Sequence, residues 1–295
     1  MAEIIPVIII ALLGYFFKRI GIFKNEHGDL FLKIVFYISL PALILLSITR
    51  IELDIQFIFL PLISALVILI TLIISFTTSR FLKLEKQTLG VFLTGTLILN
   101  IGFVLPFVIA AYGDEGLARL ALFDLSNAIL VFTLVYYIAS KHGSNSHGRK
   151  TLIMKFILTP PIWALFISLL MNLMQWELPG IVIRLFDQLG QLTIPLMLLS
   201  LGIFFNPKIV KAIPLSMVIF IRMGIGFVLG YFFAEIFNLE GLERTIVIIG
   251  SAAPVGYNNL TFASLENLDK EFAASLVSIA MLIGIIMVPL LILFL

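Results

Sequence analysis

Cysteine is absent from the 295-residue chain, and histidine and charged residues are scarce. The lack of cysteine excludes disulfides, thiolate metal sites and cysteine nucleophiles. The three histidines, His27, His142 and His147, all fall in polar connectors, which excludes an intramembrane histidine relay and a histidine metal cluster. Charged residues make up 12% of the chain and hydrophobic residues 61%, with a mean hydropathy of +1.17. Such a chain has too little polar surface for a water-soluble particle, so its solvent is lipid.

Long apolar segments follow one another along the whole chain. A helix needs about 20 apolar residues to cross ~30 Å of hydrocarbon, and the pattern therefore predicts ten transmembrane helices. The predicted spans are residues 3–20, 31–49, 56–79, 88–112, 116–140, 152–175, 181–204, 211–236, 242–265 and 271–294. The predicted fold class is an all-α polytopic membrane protein.

The two halves of the sequence match at a constant spacing of 154 residues. Pro6 matches Pro160, and Gly102 matches Gly256, without a gap. Each half holds five spans, and because five is odd the second half enters the membrane from the opposite side. The sequence thus predicts an inverted repeat, with helices 1–5 in residues 1–140, a cytoplasmic linker at 141–151 and helices 6–10 in residues 152–295. Inverted repeats in lipid are typical of secondary transporters.

Lysine and arginine are distributed unevenly between the two sets of connectors. Fourteen lie in or beside connectors 1-2, 3-4, 5-6, 7-8 and 9-10, and four, Arg50, Arg119, Arg184 and Arg244, lie on the opposite side. The positive-inside rule makes the first set cytoplasmic and places both termini outside. We expect a multi-pass integral protein of the plasma (inner) membrane.

Two spans carry helix-breaking residues at matching positions. In lipid, an interruption of a helix survives only where other helices or a wet cavity cover it. One alternative is that each proline merely kinks its helix. The matched pair instead favours two broken helices that cross and turn their N-terminal, positive ends toward an anion. The expected substrate-binding residues are Asn100, Gly102, Phe103 and Pro106 of the fourth span and Pro254, Gly256, Tyr257, Asn258 and Asn259 of the ninth.

Two ionisable residues, Asp124 and Arg222, lie near the middle of a span, where each costs ~2.5 kcal/mol or more on insertion scales. They could form a buried ion pair or reach toward water. Alternatively, Arg222 attracts a carboxylate substrate, and Asp124, close to Asn127, serves proton coupling or balances the charge of the arginine. We expect no cofactor and no metal centre, with H⁺ or Na⁺ left open as the coupling ion. Glu266, near the cytoplasmic face, is expected to be a solvated helix end.

The stretch 253–263 (APVGYNNLTFA), followed by Leu268 and Asp269, resembles the ninth helix of the auxin efflux carrier family, the PIN-like and bacterial permease group. The stretch 199–208 (LSLGIFFNPK) resembles the end of its seventh helix, and Arg222 falls where its eighth helix carries an arginine. The residues from Asn100 to Pro106 resemble its Asn-x-Gly…Pro crossover, one residue shorter.

The resemblance implies a ten-helix fold whose spans 1, 2, 6 and 7 form a scaffold, while the fourth and ninth helices cross in a transport part. It implies organic anions as substrates, auxins in plants and dicarboxylates such as malate or malonate in bacterial relatives. A homodimer through the scaffold helices is a further expectation. Two features depart from the family: the long cytoplasmic loop of plant PIN proteins is missing, and an Asn-Pro pair at the sixth span is replaced by Thr159-Pro160.

The leading hypothesis is a secondary active or facilitative transporter of a small carboxylate, working by an elevator-type shift of the crossover unit against the scaffold. Asn100, Asn258 and Asn259 would hold the carboxylate, Tyr257 and Phe103 would line the site, and the expected partners are this anion and the bilayer, with no nucleic acid. One alternative is a sodium-coupled symporter resembling bile-acid transporters, and another is a membrane receptor that does not transport. An enzyme is not expected, because no Asp-rich metal motif, intramembrane histidine or Gly-x-Ser-x-Gly sequence is present.

Overall fold

The computed structural model describes residues 4–50, 55–144, 160–205 and 208–295, and every extended regular element in those ranges is a helix. The predicted cytoplasmic linker from residue 145 onward, and residues 152–159 of the predicted sixth span, lie outside the described residues. The same holds for Thr159 and for the Asn206-Pro207 pair of the family-like motif. The predicted all-α class is confirmed for the described part of the chain.

The helices run in chain order through both halves of the sequence. In the first half they are α1 (Ile4–Arg19), α2 (Asn25–Ile34), α3 (Leu40–Arg50), α4 (Phe59–Leu82), α5 (Lys86–Leu97), α6 (Ile101–Leu130) and α7 (Tyr136–His142). In the second half they are α8 (Pro160–Leu173), α9 (Gly180–Gly190), α10 (Thr193–Phe204), α11 (Ala212–Ile219), α12 (Gly226–Ile236), α13 (Gly241–Ser251), α14 (Asn258–Leu265) and α15 (Lys270–Phe294). Gly113, with φ of 57°, marks a kink inside α6 between the predicted fourth and fifth spans.

Six helical stretches among the described residues are long and apolar enough to cross a membrane, judged by length and composition. They are Asn25–Arg50, Phe59–Leu82, Ile101–His142, Gly180–Phe204, Ala212–Ile236 and Lys270–Phe294. These stretches support an integral, multi-pass membrane protein. The count of ten spans stays a prediction, since the fourth and ninth predicted spans are divided into shorter helices and α8 begins where the described residues resume.

Three helices contain a π-helical segment in mid-span. These segments are Val35–Ser39, Val131–Val135 and Phe220–Ile225. A π-segment adds a residue to the helical turn and so changes the direction in which the following side chains point, and it is frequent at functional sites. Arg222 lies inside the third segment.

The chain divides into two compact units, and each draws on both halves of the sequence. The first unit comprises Met1–Phe57, Leu105–Leu122 and Leu158–Phe205. Within it, α1 and α10 pack backbone to backbone, because a Cβ on Gly14 would overlap the carbonyl of Leu199 and one on Gly202 would overlap the carbonyl of Ala11. Lys18 Nζ donates to the Ile203 carbonyl over 2.5 Å, near the end of α10.

The second unit comprises Ile58–Val104, Phe123–Ile157 and Asn206–Leu295. Its interior holds α5 and α13, most of whose residues are buried, and the face of α14 that carries Asn259, Phe262 and Ala263. Small residues permit the close packing: a Cβ on Gly230 would lie 2.7 Å from the Ser251 Cβ, and one on Gly250 would lie 2.6 Å from the Phe123 ring. With the exception of Pro106, every predicted site residue belongs to this unit.

Candidate functional site

The chain leaves the helical conformation at two places that come together in the second unit. Helix α5 ends at Leu97 and α6 begins at Ile101, while α13 ends at Ser251 and α14 begins at Asn258. The two gaps are joined as an isolated antiparallel bridge between Leu99 and Val255. A short piece of β-ladder therefore supplies the backbone partners that the interrupted helices lack.

Two backbone hydrogen bonds form this bridge. The Asn100 amide donates to the Pro254 carbonyl over 2.9 Å, and the Gly256 amide donates to the Ile98 carbonyl over 3.1 Å. Glycine is required at 256, because a Cβ there would overlap the Ile98 side chain. The two segments touch at one end of the predicted interruption from Asn100 to Pro106, since the helix resumes at Ile101, and within the predicted interruption from Pro254 to Asn259.

Asparagine side chains hold the bridge on both sides. Asn100 Nδ2 donates to the Val255 carbonyl over 3.2 Å, and its Oδ1 accepts from the Phe103 amide over 3.1 Å and caps α6. Asn127 pairs with the backbone of Leu99, accepting from its amide over 3.2 Å and donating to its carbonyl over 3.3 Å. A carboxamide has both donor and acceptor, so it replaces a missing backbone partner.

Asn259, the second residue of α14, serves a similar purpose. Its Nδ2 donates to the Val91 carbonyl over 3.0 Å and to Thr94 Oγ1 over 3.2 Å, tying α14 to α5. The side chain is fully buried. Three of the four asparagines predicted in the site therefore form hydrogen bonds to backbone atoms. The fourth, Asn258, differs because its side chain is half-buried and makes no hydrogen bond to any described residue.

The solvent-accessible part of the crossing is formed by the beginnings of two helices. Gly102, in the first turn of α6, is exposed, and Tyr257 and Asn258, at the start of α14, are half-buried. Pro106 is buried inside α6 and has no amide to donate, so the Gly102 carbonyl lacks its usual helical partner. Helix N-termini carry about half a positive charge and free amides, which favour an anion.

Phe103 points into the interior of the second unit and is 1% exposed. A Cβ on Gly284 of α15 would lie 2.8 Å from the Phe103 ring and 2.5 Å from Pro254 Cγ, so the ring and the proline pack on α15. Gly284 has no side chain, so it leaves space for the ring against α15. That Phe103 lines the site stays a prediction.

Arg222 is fully buried and lies at the ends of α5 and α13. Its guanidinium donates from Nη1 to the Thr96 carbonyl over 3.2 Å and from Nη2 to the Ser251 carbonyl over 2.5 Å. A Cβ on Gly226 would overlap the Ser251 carbonyl and lie 2.6 Å from Nη2, so the glycine makes room for the contact. Sequence reasoning missed both partners because they are backbone atoms, which no side-chain pattern reveals.

Asp124 and Arg222 are not paired with each other in the described part of the chain. Asp124 Oδ1 accepts a hydrogen bond of 2.7 Å from Asn127 Nδ2, and the side chain is half-buried. No described ion pair within 4.0 Å includes either residue. The hydrogen bond links Asp124, through Asn127, to the bridge residue Leu99.

The expectation that Glu266 is a solvated helix end is wrong. Glu266 is 0% exposed, its Oε1 accepts a hydrogen bond from the Tyr136 hydroxyl, and its backbone carbonyl accepts from the Ser144 amide over 3.0 Å. The end of α14 therefore packs beneath α7, and Gly143 permits this because a Cβ there would overlap the Glu266 carbonyl. The position of Glu266 near a connector gave no sign that Tyr136 of the fifth span and Ser144 beyond it would cover its side chain and backbone.

Among the described residues, no group of three or more histidine, cysteine, aspartate or glutamate side chains is arranged to hold a metal ion. The polar groups gathered at the crossing are carboxamides, backbone amides and backbone carbonyls, with the Arg222 guanidinium, the Asp124 carboxylate and the Thr94 hydroxyl bonded to them. Such a set can bind and release a small polar ligand and contains no nucleophile placed beside a general base.

A helical, multi-pass chain with interrupted segments at a polar crossing is typical of membrane transporters, and comparison with known proteins shows that class. Over residues 1–292 the sequence matches the family described as membrane transport protein. The chain belongs to this family, which is the auxin efflux carrier family suggested by the sequence motifs.

Similar proteins carry the same description. An uncharacterised transporter of Methanocaldococcus jannaschii is 28% identical over 301 residues, covering 98% of this chain and 97% of the relative. An uncharacterised transporter of Methanothermobacter thermautotrophicus is 23% identical over 293 residues, covering 97% and 95%. The uncharacterised transporter YfdV of Escherichia coli is 28% identical over 194 residues, 61% of this chain and 60% of the relative.

Proposed function

We propose that this protein is a secondary active or facilitative transporter of a small organic anion with a carboxylate group. The observation that carries the proposal is that helix N-termini at the crossing are accessible to solvent while helix C-termini there are buried. The beginnings of α6 and α14, at Gly102 and Asn258, are accessible, whereas the ends of α5 and α13 are buried against Arg222. A ligand arriving at the crossing therefore meets positive dipole ends, which favour an anion.

Asn258 is the residue we assign to direct substrate contact. Its half-buried carboxamide has donors and an acceptor that no described residue uses, so it can bind a carboxylate without breaking an internal bond. Tyr257 would border the ligand next to it. Asn100 and Asn259 act instead as positioning residues, because their amides hold the interrupted backbone in place.

Arg222 supplies positive potential from inside the second unit. Its charge is desolvated, so its field is less screened than that of a surface arginine. The side chain is fully buried, and two of its five N–H groups donate to the carbonyls of Thr96 and Ser251. We therefore propose an indirect electrostatic effect on the anion and no direct salt bridge.

Alternating access would follow an elevator-type movement. The first unit contains helices from the predicted spans 1, 2, 6 and 7, the set that the family resemblance assigns to the scaffold, and the second contains the crossing. A compact unit that carries the site as one body is what an elevator needs. A plasma-membrane location with both termini outside, and a homodimer through the scaffold helices, complete the proposal.

A thermal-shift screen over mono- and dicarboxylates would test the anion assignment. A ligand present at 100 times its Kd should add about 2.7 kcal/mol to the free energy of unfolding. Amines and neutral amides of matched size serve as controls, and a shift produced by those compounds in place of carboxylates would refute the anion assignment.

Counterflow in proteoliposomes would test transport itself. Labelled carboxylate should accumulate transiently inside vesicles preloaded with the unlabelled compound, because a carrier exchanges its ligand across the membrane. Binding without exchange would identify a receptor and would contradict the transport proposal.

A further inference from the structure

We infer that the guanidinium of Arg222 is a built-in cation that holds the ends of two half-helices where a coupling Na⁺ would otherwise bind, so that transport does not use Na⁺ at this position. The statement about Na⁺ rests on the proposed transport function. The statement that Arg222 holds the two helix ends can be tested without a transport measurement.

The two carbonyls at Arg222 have lost their usual helical partners. The Thr96 carbonyl would normally accept from the amide of residue 100, but the Asn100 amide donates to Pro254 across the bridge. The Ser251 carbonyl belongs to the last residue of α13, after which the chain turns into the bridge. Arg222 donates to both carbonyls and so supplies the donors that the breaks removed.

The charges at this point balance without an added ion. Each helix C-terminus carries about −0.5 elementary charge, so the ends of α5 and α13 together present about −1. One guanidinium carries +1, and no described carboxylate lies within 4.0 Å of it. The helix ends are thus the counter-charge of Arg222.

The same oxygen atoms would suit a small cation. In transporters with discontinuous helices, freed backbone carbonyls and half-helix C-termini coordinate Na⁺. Here the hydroxyl oxygen of Ser251 is also buried at this place and has no hydrogen-bond partner among the described residues. Carbonyl and hydroxyl oxygens would form a cation site if the arginine side chain were removed.

The local backbone is adapted to the arginine. Arg222 lies within the π-helical segment Phe220–Ile225, and Gly226 follows directly, where any Cβ would overlap the Ser251 carbonyl. These features bring a long side chain and a helix end into contact inside the second unit. An arginine whose guanidinium extended to water would need neither the π-helical segment nor a glycine at 226.

Thermal unfolding of the purified protein in detergent tests the inference. Wild-type protein should melt at the same temperature in NaCl, KCl and choline chloride. Arg222→Ala should melt lower, and millimolar methylguanidinium should raise its melting temperature by ~3 °C or more, whereas urea at the same concentration should not. Arg244→Gln is the matched control, because it removes a partly exposed arginine of the same unit and should show no response to methylguanidinium. An Arg222→Ala protein that melts alike with and without every cation would overturn the inference.

A second pair of variants covers the case in which the alanine protein does not fold. Arg222→Lys keeps the positive charge, and Arg222→Met keeps a side chain of similar length without it. The lysine protein should melt well above the methionine protein, by ~5 °C or more. Equal melting temperatures would show that charge at residue 222 is irrelevant and would overturn the inference.

Transport measurements separate this inference from the function itself. If counterflow of a carboxylate is observed and its rate is equal in Na⁺ and choline media, both stand. If counterflow is observed but needs Na⁺, with wild-type stability also raised by Na⁺, transport stands and the built-in cation is overturned. Failure of counterflow with every carboxylate bears on the proposed function alone, because the melting experiments still decide the role of Arg222.

Discussion

Asn258 and Asn259 are neighbours in sequence, yet the structure gives them different surroundings. The amide of Asn259 is buried on Val91 and Thr94, whereas the side chain of Asn258 is half-buried and makes no hydrogen bond to a described residue. A buried carboxamide with fixed partners stabilises the fold, and an unengaged one is available for a ligand. Under the proposed function, this difference assigns substrate contact to Asn258 and a positioning role to Asn259.

Asn258→Ala should therefore weaken carboxylate binding by ~5-fold or more, the equivalent of about 1 kcal/mol for a lost hydrogen bond, while the melting temperature of the free protein stays within ~1 °C. Isothermal titration and thermal unfolding measure the two quantities. Thr261→Ala, an exposed change in the same helix, is the control and should leave affinity unchanged. Unaltered affinity in Asn258→Ala would remove this residue from the site.

Asp124 can be tested for proton coupling, because its carboxylate is half-buried and connects through Asn127 to the bridge. If its protonation accompanies transport, Asp124→Asn should transport at a rate that no longer varies between pH 5 and 8. Counterflow at a series of pH values measures this, with the exposed Asp187→Asn as control. A pH profile that survives in Asp124→Asn would exclude the coupling role.

At the scale of elements, helix ends are secured by side chains from other helices. Asp269 caps α15 by accepting from the Phe272 amide over 3.0 Å, and it also accepts from Lys211 Nζ over 2.5 Å and from Thr88 Oγ1 over 2.8 Å. Partial burial by itself raises the pKa of Asp269, but the hydrogen bonds from Lys211, Phe272 and Thr88 and the charge of Lys211 outweigh it and hold the pKa below its usual value.

Asp269→Asn should cost about 1 kcal/mol of stability at pH 7, since asparagine keeps the cap but loses the charge, and Asp269→Ala should cost about 2 kcal/mol. Because the pKa is lowered in the folded state, this stabilisation is present above the ordinary aspartate value of ~3.9 and disappears as the pH falls through the folded value. Melting curves from pH 7 to 3 measure it.

The exposed acid Glu271, in the first turn of the same helix, supplies the control variant Glu271→Gln. The difference between wild type and Asp269→Asn should persist down to about pH 4 and shrink only below it. A difference that vanished near pH 6 would contradict the assigned pairing.

At the scale of the whole molecule, the uneven distribution of lysine and arginine predicts orientation. Glu85 and Glu240 are both exposed residues immediately before a helix, at the beginnings of α5 and α13, on opposite predicted sides. The chain has no cysteine, so each can be replaced by a single cysteine in an otherwise unreactive background.

A membrane-impermeant maleimide added to intact cells should label Glu240→Cys and leave Glu85→Cys unlabelled until the membrane is opened. The two variants control for each other, because both place a thiol at a helix start. The reverse labelling pattern would place both termini in the cytoplasm and refute the predicted topology.

Composition and pattern were sufficient to predict the lipid solvent of the protein, its helical class and the regions of its two interruptions, whereas its family was recognised through the resemblance of its motifs. These features follow from local chemistry: a run of apolar residues fits only lipid or a core, and glycine, proline and asparagine interrupt a helix wherever they cluster. The regions from Asn100 to Pro106 and from Pro254 to Asn259 were therefore recognisable in the sequence alone, although α6 already begins at Ile101 and includes Gly102 and Pro106.

Only the tertiary structure decided which groups meet at those interruptions. The bridge between Leu99 and Val255, the contacts of Arg222 with two carbonyls and the burial of Glu266 beneath Tyr136 all join segments distant in sequence. Backbone atoms carry no signature of residue type, and burial depends on what another helix brings. The sequence by itself thus determined the regions in which the helices break, and the packing of those breaks determined which asparagine side chains are bonded to the backbone and left that of Asn258 without such a bond.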